Sequence, residues 1–314
     1  NACWNAVDRH VEAGRGDQLA IIHDSPITRS CRGITYAELR DRVASLAGAL
    51  RSKGIEKGDR VIIYMPMVPE ALEAMLACAR LGAIHSVVFG GFAAHELAVR
   101  INDATPKAII AASCGLEPGR IVPYKPLLDR AIDEATHKPD FCVIFQREQE
   151  VAHLIEGRDV AWHSFQFGVE PAECVPVEGN HPAYVLYTSG TTGNPKGVLY
   201  SHRSNFIHTL LGMQTTVLGG TPSEVILPVV PMFHANAWGI AFAGPAAGSK
   251  LVMPGAKMDG ASIYELIETE DVTFSAAVPT VWQGLFGHMV ENNLKFSTLR
   301  KVLIGGSACP EALI

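Results

Sequence analysis

The chain has 314 residues, 48% of them hydrophobic and 18% charged, with 26 lysines and arginines against 32 aspartates and glutamates for a formal net charge of −6. That length suits one large domain or about two smaller ones. A net negative chain has no global basic field to draw in nucleic acid or an anionic membrane, so a polyanionic ligand must be held by a local site. The seven cysteines form no CxxC pair, which argues against a zinc ribbon, a dithiol redox motif and a secreted disulfide scaffold; reduced thiols in a cytoplasm are the expectation.

In chain order, Thr35 and Glu38 form a capping box, and Leu39, Val43, Leu46 and Leu50 recur at helical spacing until Gly54 offers a stop. A short apolar run at 60–65, a helix at 69–81 ended by Gly82 and a second run at 84–89 make a βαβ unit. The apolar stretch around them is interrupted by Glu70, Glu73 and Arg80 and broken by Pro66 and Pro69, so it reads as buried strand and helix and not as a membrane span. The alternation continues with a helix at 93–102 and a strand at 108–112. Further strands are expected at 183–187, 225–229, 250–253, 272–276 and 301–304, with helices at 204–212, 261–269 and 280–293 between them. The predicted class is α/β, with stacked, largely parallel sheets flanked by helices. Residues 148–179 are polar, aperiodic and carry Pro171 and Pro176, which suggests a connector. A first subdomain over 1–180 and a second over 181–314 are the expected division. The chain begins at Asn1 with neither a methionine nor a basic-then-apolar leader, so no targeting signal is expected and a fragment is.

The predicted strand at 183–187 runs into Tyr187-Thr188-Ser189-Gly190-Thr191-Thr192-Gly193-Asn194-Pro195-Lys196-Gly197. Glycines let the backbone approach a ligand closely, hydroxyls and amides donate to phosphate oxygens, and Lys196 supplies a point charge. It is not a Walker A loop, because Pro195 precedes the lysine and Gly197 follows it, and the glycine spacing is not the Rossmann GxGxxG. A polar loop that merely contains a lysine is the plainer alternative.

The stretch 187–198 closely resembles the phosphate-binding signature of the adenylate-forming superfamily, which includes acyl-CoA synthetases, nonribosomal peptide synthetase adenylation domains and firefly luciferase. The likeness spans essentially the whole chain and divides at the loop. Residues 1–196, with "YMPMVPEALEAMLACARLGAIHSVVFGGFAAHELAVRI" and "SCGLEPGR", resemble acetyl- and, more closely, propionyl-CoA synthetases. Residues 197–314, with "VLYSHRSN", "LPVVPMFHANAWG", "AAVPTVW" and "VLIGGSACP", resemble medium- and long-chain fatty acyl-CoA ligases. A natural hybrid, a laboratory chimera and an assembly artefact all stand open as origins of such a junction.

The resemblance implies a large N-terminal AMP-binding domain, with ATP, Mg²⁺, CoA and a carboxylate as its small-molecule partners. Thr188, Ser189, Gly190, Thr191, Thr192, Gly193 and Lys196 would hold the ATP phosphates, with Thr188 and Lys196 also in catalytic roles. His234, in Pro231-Met232-Phe233-His234, would gate the acyl channel, although a lone histidine is more often structural. Gly305, Gly306 and Ser307 would pack on adenine, where a bland turn is the alternative. Phe89, Gly90, Gly91 and Arg120 would contact CoA; acetyl-CoA synthetases carry another arginine where this chain has Glu117. No metal-ligand spacing stands out among the histidines. The implied reaction is attack of a carboxylate on the α-phosphorus of Mg-ATP, loss of pyrophosphate, then thioester formation with release of AMP. Family members continue past the glycine pair into segments that bind magnesium and ribose and into a small C-terminal domain bearing a lysine. Without these, the 314-residue chain alone is expected to be inactive. Aryl- or amino-acid adenylation and a non-catalytic nucleotide-binding fragment are the alternatives.

Overall fold

Thr35 starts the first long helix as its capping box requires. Its hydroxyl accepts from the Glu38 amide at 3.2 Å and its own amide donates to Glu38 Oε2 at 2.8 Å. The helix Tyr36–Ser52 then buries Leu39, Val43, Leu46 and Leu50 on one face. These contacts belong to the computed structural model of the chain, which describes residues 1–187, 195–214 and 219–313.

The strands Arg60–Met65 and Ile84–Phe89 flank the helix Pro69–Leu81, whose proline sits in its first turn and whose end is turned by Gly82 at φ 70°. Every residue of this helix is buried, so its charged side chains need partners. Glu70 meets Arg32 at 2.7 Å, Glu73 meets Arg42 at 3.5 Å and Arg80 meets Asp8 at 2.8 Å. For Glu73 the pairing is incomplete: burial, reinforced by Glu70, raises its carboxyl to about 7 against the opposing pull of Arg42 and Arg32. An unfolded glutamate titrates near ~4.3, so the folded chain holds the extra proton, and stability falls as pH rises between those two values and levels off above them. Glu73→Gln is accordingly expected to raise the urea midpoint more at about pH 8 than at about pH 5; an equal shift at both would assign the effect to packing.

A seven-stranded sheet runs in the order Gly197–Ser201, Pro182–Tyr187, Ile84–Phe89, Arg60–Met65, Ala108–Ala112, Phe141–Phe145 and Asp159–Ala161. It is parallel apart from its first pair. A six-stranded sheet runs Lys301–Ile304, Phe274–Ala277, Val225–Pro228, Lys250–Met253, Leu19–Ser25 and Ser30–Thr35, parallel apart from its last pair. A small hairpin pairs Cys114–Glu117 with Arg120–Pro123. Helices flank the sheets, and the class is α/β as expected. Both large sheets draw strands from either side of residue 180: Ile21 pairs with Leu251, and Tyr184 with His85. Buried Tyr36 adds to this interleaving by donating to the carbonyls of Ser249 at 2.9 Å and Pro245 at 3.2 Å. Among the described residues, no helix is long and apolar enough to cross a membrane.

The stretch expected as a connector also builds structure. Asp159–Ala161 is an edge strand, and the helix Trp162–Gln166 buries Trp162 and Phe165. The edge is fastened by ionic contacts: Lys125 reaches Asp129 at 2.6 Å and Asp159 at 2.8 Å, while Arg158 meets Asp159 at 2.7 Å and also Asp129. Lys125 is thereby neutralised in the fold. The helix His202–Met213 is started by Ser201, in a reciprocal box with Ser204 at 3.0 and 3.1 Å.

Candidate active site

In parallel α/β sheets, ligand sites form beyond the carboxyl ends of the strands, where backbone turns and helix starts are not yet used up by pairing. Here the ends of both large sheets converge on two clefts. The first, about 250 Å³, takes His23 and Ser25 from one sheet, Met65 and Phe89 from the other, and Tyr124 and Arg147 from just past the strands Arg120–Pro123 and Phe141–Phe145. The second, about 360 Å³, is lined by Phe92, Arg100, Tyr187 and His234. Phe89 and Phe233 line both, with ring centroids 4.8 Å apart. This aromatic pair is the wall between the two spaces.

The stem of the glycine- and hydroxyl-rich loop opens on the second cleft. Tyr187 and Gly197 are paired across the last register position of their antiparallel strands, and Lys196 beside them is exposed. Thr188, Ser189, Gly190, Thr191, Thr192 and Gly193 lie outside the described residues. Tyr187 donates to Asp103 Oδ2 at 2.6 Å, and burial together with that carboxylate raises its phenol. The Arg100 guanidinium lies 4.6 Å from the Phe92 ring and 5.6 Å from the Tyr187 ring, which positions the stem by cation–π contact. Neither Arg100 nor Asp103 is distinguishable by sequence from the polar face of the helix Ala94–Ala104 that carries them. His234 is exposed, its amide donating to the Pro231 carbonyl at 3.0 Å, and it shares the second cleft with Tyr187 and Phe89.

After His234 the backbone is unusual. Asn236, Ala237 and Trp238 are all left-handed, at φ 51°, 51° and 55°, before Gly239 at 79°. Three consecutive non-glycine residues in that region carry strain. The turn brings the Trp238 ring against Gly305, where a Cβ would sit 3.0 Å from it. Gly306 is at φ 85°, which favours glycine, and Ser307 is exposed. The glycine pair thus has a packing reason and a conformational reason of its own, beside any contact with a base.

Phe89 lines both clefts, and the glycines that follow it, Gly90 and Gly91, each answer to a neighbour. A Cβ on Gly90 would lie 2.1 Å from the Tyr124 ring, and one on Gly91 2.6 Å from the Phe89 ring. Arg120 stands at the hairpin tip, exposed and paired with Glu117 at 2.6 Å. The residue that departs from the acetyl-CoA synthetase pattern is therefore the one that holds this arginine. Sequence reasoning missed His23 and Arg147. Burial lowers the pKa of both, so His23 is neutral at neutral pH while the arginine keeps its charge. Tyr124, pushed up to about 12 by burial, stays protonated. Trp282 is buried in the smaller core with its indole donating to the Ala277 carbonyl at 3.2 Å.

A family model described as AMP-binding enzyme matches residues 7–314. The chain belongs to the AMP-binding enzyme family. An uncharacterized protein of Pseudomonas aeruginosa is 48% identical over 260 residues, covering 83% of this AMP-binding chain and 40% of that protein. The human mitochondrial acyl-CoA synthetase short-chain family member 3 is 49% identical over 226 residues, 72% of this chain and 33% of its own length. An acetyl-coenzyme A synthetase of Streptomyces avermitilis is 49% identical over 203 residues, 64% of this chain and 31% of its own length. The AMP-binding chain thus spans less than half the length of these curated relatives.

Proposed function

We propose that this AMP-binding chain contributes the ATP- and carboxylate-binding part of an AMP-forming acyl-CoA synthetase acting on short- to medium-chain fatty acids. The observation that carries the reading is the pair of clefts divided by Phe89 and Phe233. A two-step reaction needs a space where the carboxylate meets ATP and a separate approach for the thiol, with the reacting carbonyl where they meet. The second cleft, at the stem of the Lys196 loop, suits the first step; the first cleft, under the Phe89-Gly90-Gly91 turn, suits the pantetheine arm of CoA.

In this reading Thr188, Ser189, Gly190, Thr191, Thr192, Gly193 and Lys196 hold the phosphates of ATP, which arrives as its Mg²⁺ complex, and steady pyrophosphate as it leaves. Electrostatic stabilisation of that charge is the main contribution such a loop makes. Gly305, Gly306 and Ser307 present an edge to adenine. His234, exposed beside Tyr187 and Phe89, borders the carboxylate path. Arg120, once freed from Glu117, would meet the CoA phosphates, and its present partner would make that exchange dependent on charge. The half at 1–180 would then bring the CoA contacts and the half at 181–314 the phosphate loop, in a cytoplasmic setting like that expected from the thiols.

Carboxylate-dependent pyrophosphate exchange and acyl-hydroxamate formation test this on the chain itself and on the chain completed with the remaining length of the Streptomyces relative. Acids from two to twelve carbons form the panel, with aromatic and amino acids as competitors. Turnover of the fatty acids, lowered about a hundredfold in Lys196→Ala, is the expected result. Turnover of aryl or amino acids alone, or ATP binding with no exchange in either protein, would overturn it.

A further inference from the structure

Away from both clefts, two thiols share one buried ionic cluster. Cys3 lies in the N-terminal helix Ala2–Ala6, and Cys174 precedes the strand Pro182–Tyr187 in the chain. Their Sγ atoms and a carboxylate oxygen of Asp8 all lie within 4.8 Å of one another. Arg80 Nη1 donates to both Asp8 oxygens at 2.8 Å, to Cys174 Sγ at 3.3 Å and to Cys3 Sγ at 3.6 Å. Asp8 Oδ2 in turn accepts from Cys174 at 3.6 Å and from Cys3 at 3.9 Å.

By donor type the cluster would suit a metal ion. The guanidinium decides against one, because it already supplies the positive charge that Asp8 needs and would repel a second. Simple apolar packing is also a poor account of this pair. Cys78 and Cys142 are buried with thiols pushed up to about 12 by burial, whereas Cys3 and Cys174 each have a donor and an acceptor. The backbones are held in place as well: Asn1 Nδ2 donates to the carbonyls of Ala79 at 2.8 Å and Val175 at 2.9 Å, and the Val175 amide donates to Arg80 at 2.8 Å. Arg80 Nε donates to the Ala172 carbonyl at 2.5 Å.

We propose that Cys3 and Cys174 are a redox-active pair that closes to a reversible disulfide when the protein meets hydrogen peroxide, clasping the N-terminal helix to the segment around residue 174. The inference is independent of the adenylating activity proposed above. Cys174 is the half-exposed partner and reacts first. Asp8 takes its proton, and Arg80 beside the sulfur stabilises the thiolate. The thiolate attacks one peroxide oxygen, the O–O bond breaks, and the departing hydroxide recovers the proton as water, leaving Cys174 as a sulfenic acid. Cys3, whose thiol burial holds well above its ordinary value, resolves it. Its sulfur attacks the Cys174 sulfur, the S–O bond breaks, and hydroxide leaves with the Cys3 proton as a second water. Two thiols and one peroxide give one disulfide and two waters, and a small dithiol reverses the exchange.

The test is a thiol map of the intact chain treated with stoichiometric hydrogen peroxide, alkylated, and digested without reductant. A cross-linked pair of peptides carrying Cys3 and Cys174, lighter by two hydrogens and lost on dithiothreitol treatment, is expected. Cys3→Ser should abolish the cross-link and let dimedone label Cys174 as sulfenic acid; Cys174→Ser should abolish both. Recovery of Cys3 and Cys174 as free alkylated thiols while exposed Cys31 is oxidised would overturn the proposal, as would a bridge from Cys174 to any other cysteine. The wild-type map decides even where a variant folds poorly.

Discussion

Arg80→Met is expected to lower the unfolding free energy by about 3–5 kcal/mol, the usual cost of leaving one partner of a buried pair uncompensated. The side chains of Arg80 and Asp8 are only 2% and 8% exposed, so water cannot take over the solvation of the stranded carboxylate. Arg80 also donates to the Ala172 carbonyl and both thiols, so with the two Asp8 oxygens the substitution frees five acceptor atoms at once. Domains are stable by about 5–15 kcal/mol, which makes this loss visible in a urea melt. Asp8→Asn in the same background should recover part of it, because the residual cost is then that of a neutral amide. A melt in which the single and double variants coincide with the parent would show that the pair contributes nothing.

Gly90→Val is the second large effect, and Tyr124 is its cause. The added Cβ would lie 2.1 Å from Tyr124 Cε2 and 2.4 Å from Cζ. The ring is hemmed in on its protein side: a Cβ on Gly115 would lie 2.1 Å from the tyrosine oxygen and 2.3 Å from Cζ, and Tyr64 packs at 5.3 Å, so it can move only into the first cleft. Overpacking of this kind costs about 1–3 kcal/mol and occasionally more, and the branched side chain adds to it. Tyr124 and Phe89 line the first cleft, so under the proposed function thiol-dependent turnover of the completed chain should fall further than pyrophosphate exchange. A double-mutant cycle with Tyr124→Ala gives the check. Strong coupling, with Gly90→Val tolerated once the ring is gone, is expected; additive losses would mean that the clash is not with Tyr124.

Much of the helical framework is legible in the residues themselves. Thr35 with Glu38, Pro69 and Gly82 mark helix ends because caps and φ preferences are local, acting within a turn of backbone. The strands Arg60–Met65 and Ile84–Phe89 stand at their expected places, as continuous apolar runs of buried parallel strands do, and so does the more exposed edge strand Lys301–Ile304. Less local elements were not legible. Leu19–Ser25 carries His23 and Asp24 in its middle, and its strand character comes from pairing with Lys250–Met253. Asp159–Ala161 is three residues long and exists because Lys125 and Arg158 neutralise Asp159 at the sheet edge.

The site divides the same way. Dense donors beside Lys196 raise the expectation of a phosphate cradle, which the proposed function adopts, since glycine, hydroxyl and ammonium chemistry is intrinsic to the residue types. Arg100 behind Tyr187, Tyr124 between two glycines and Arg147 in the first cleft are ordinary residues in sequence. So are Cys3 and Cys174, whose thiols meet only once the N-terminal helix has packed. The sequence by itself determined the α/β class, the helix ends marked by caps and glycine stops, and the family, because those depend on periodicity, local backbone preference and contiguous motifs; helices such as Tyr124–Glu134 and Ile240–Ala247 lay outside the expected elements. Only the tertiary structure decided which strands share a sheet, which aromatics divide the clefts and which charges are buried in pairs, because these depend on contacts between segments that the chain order keeps far apart.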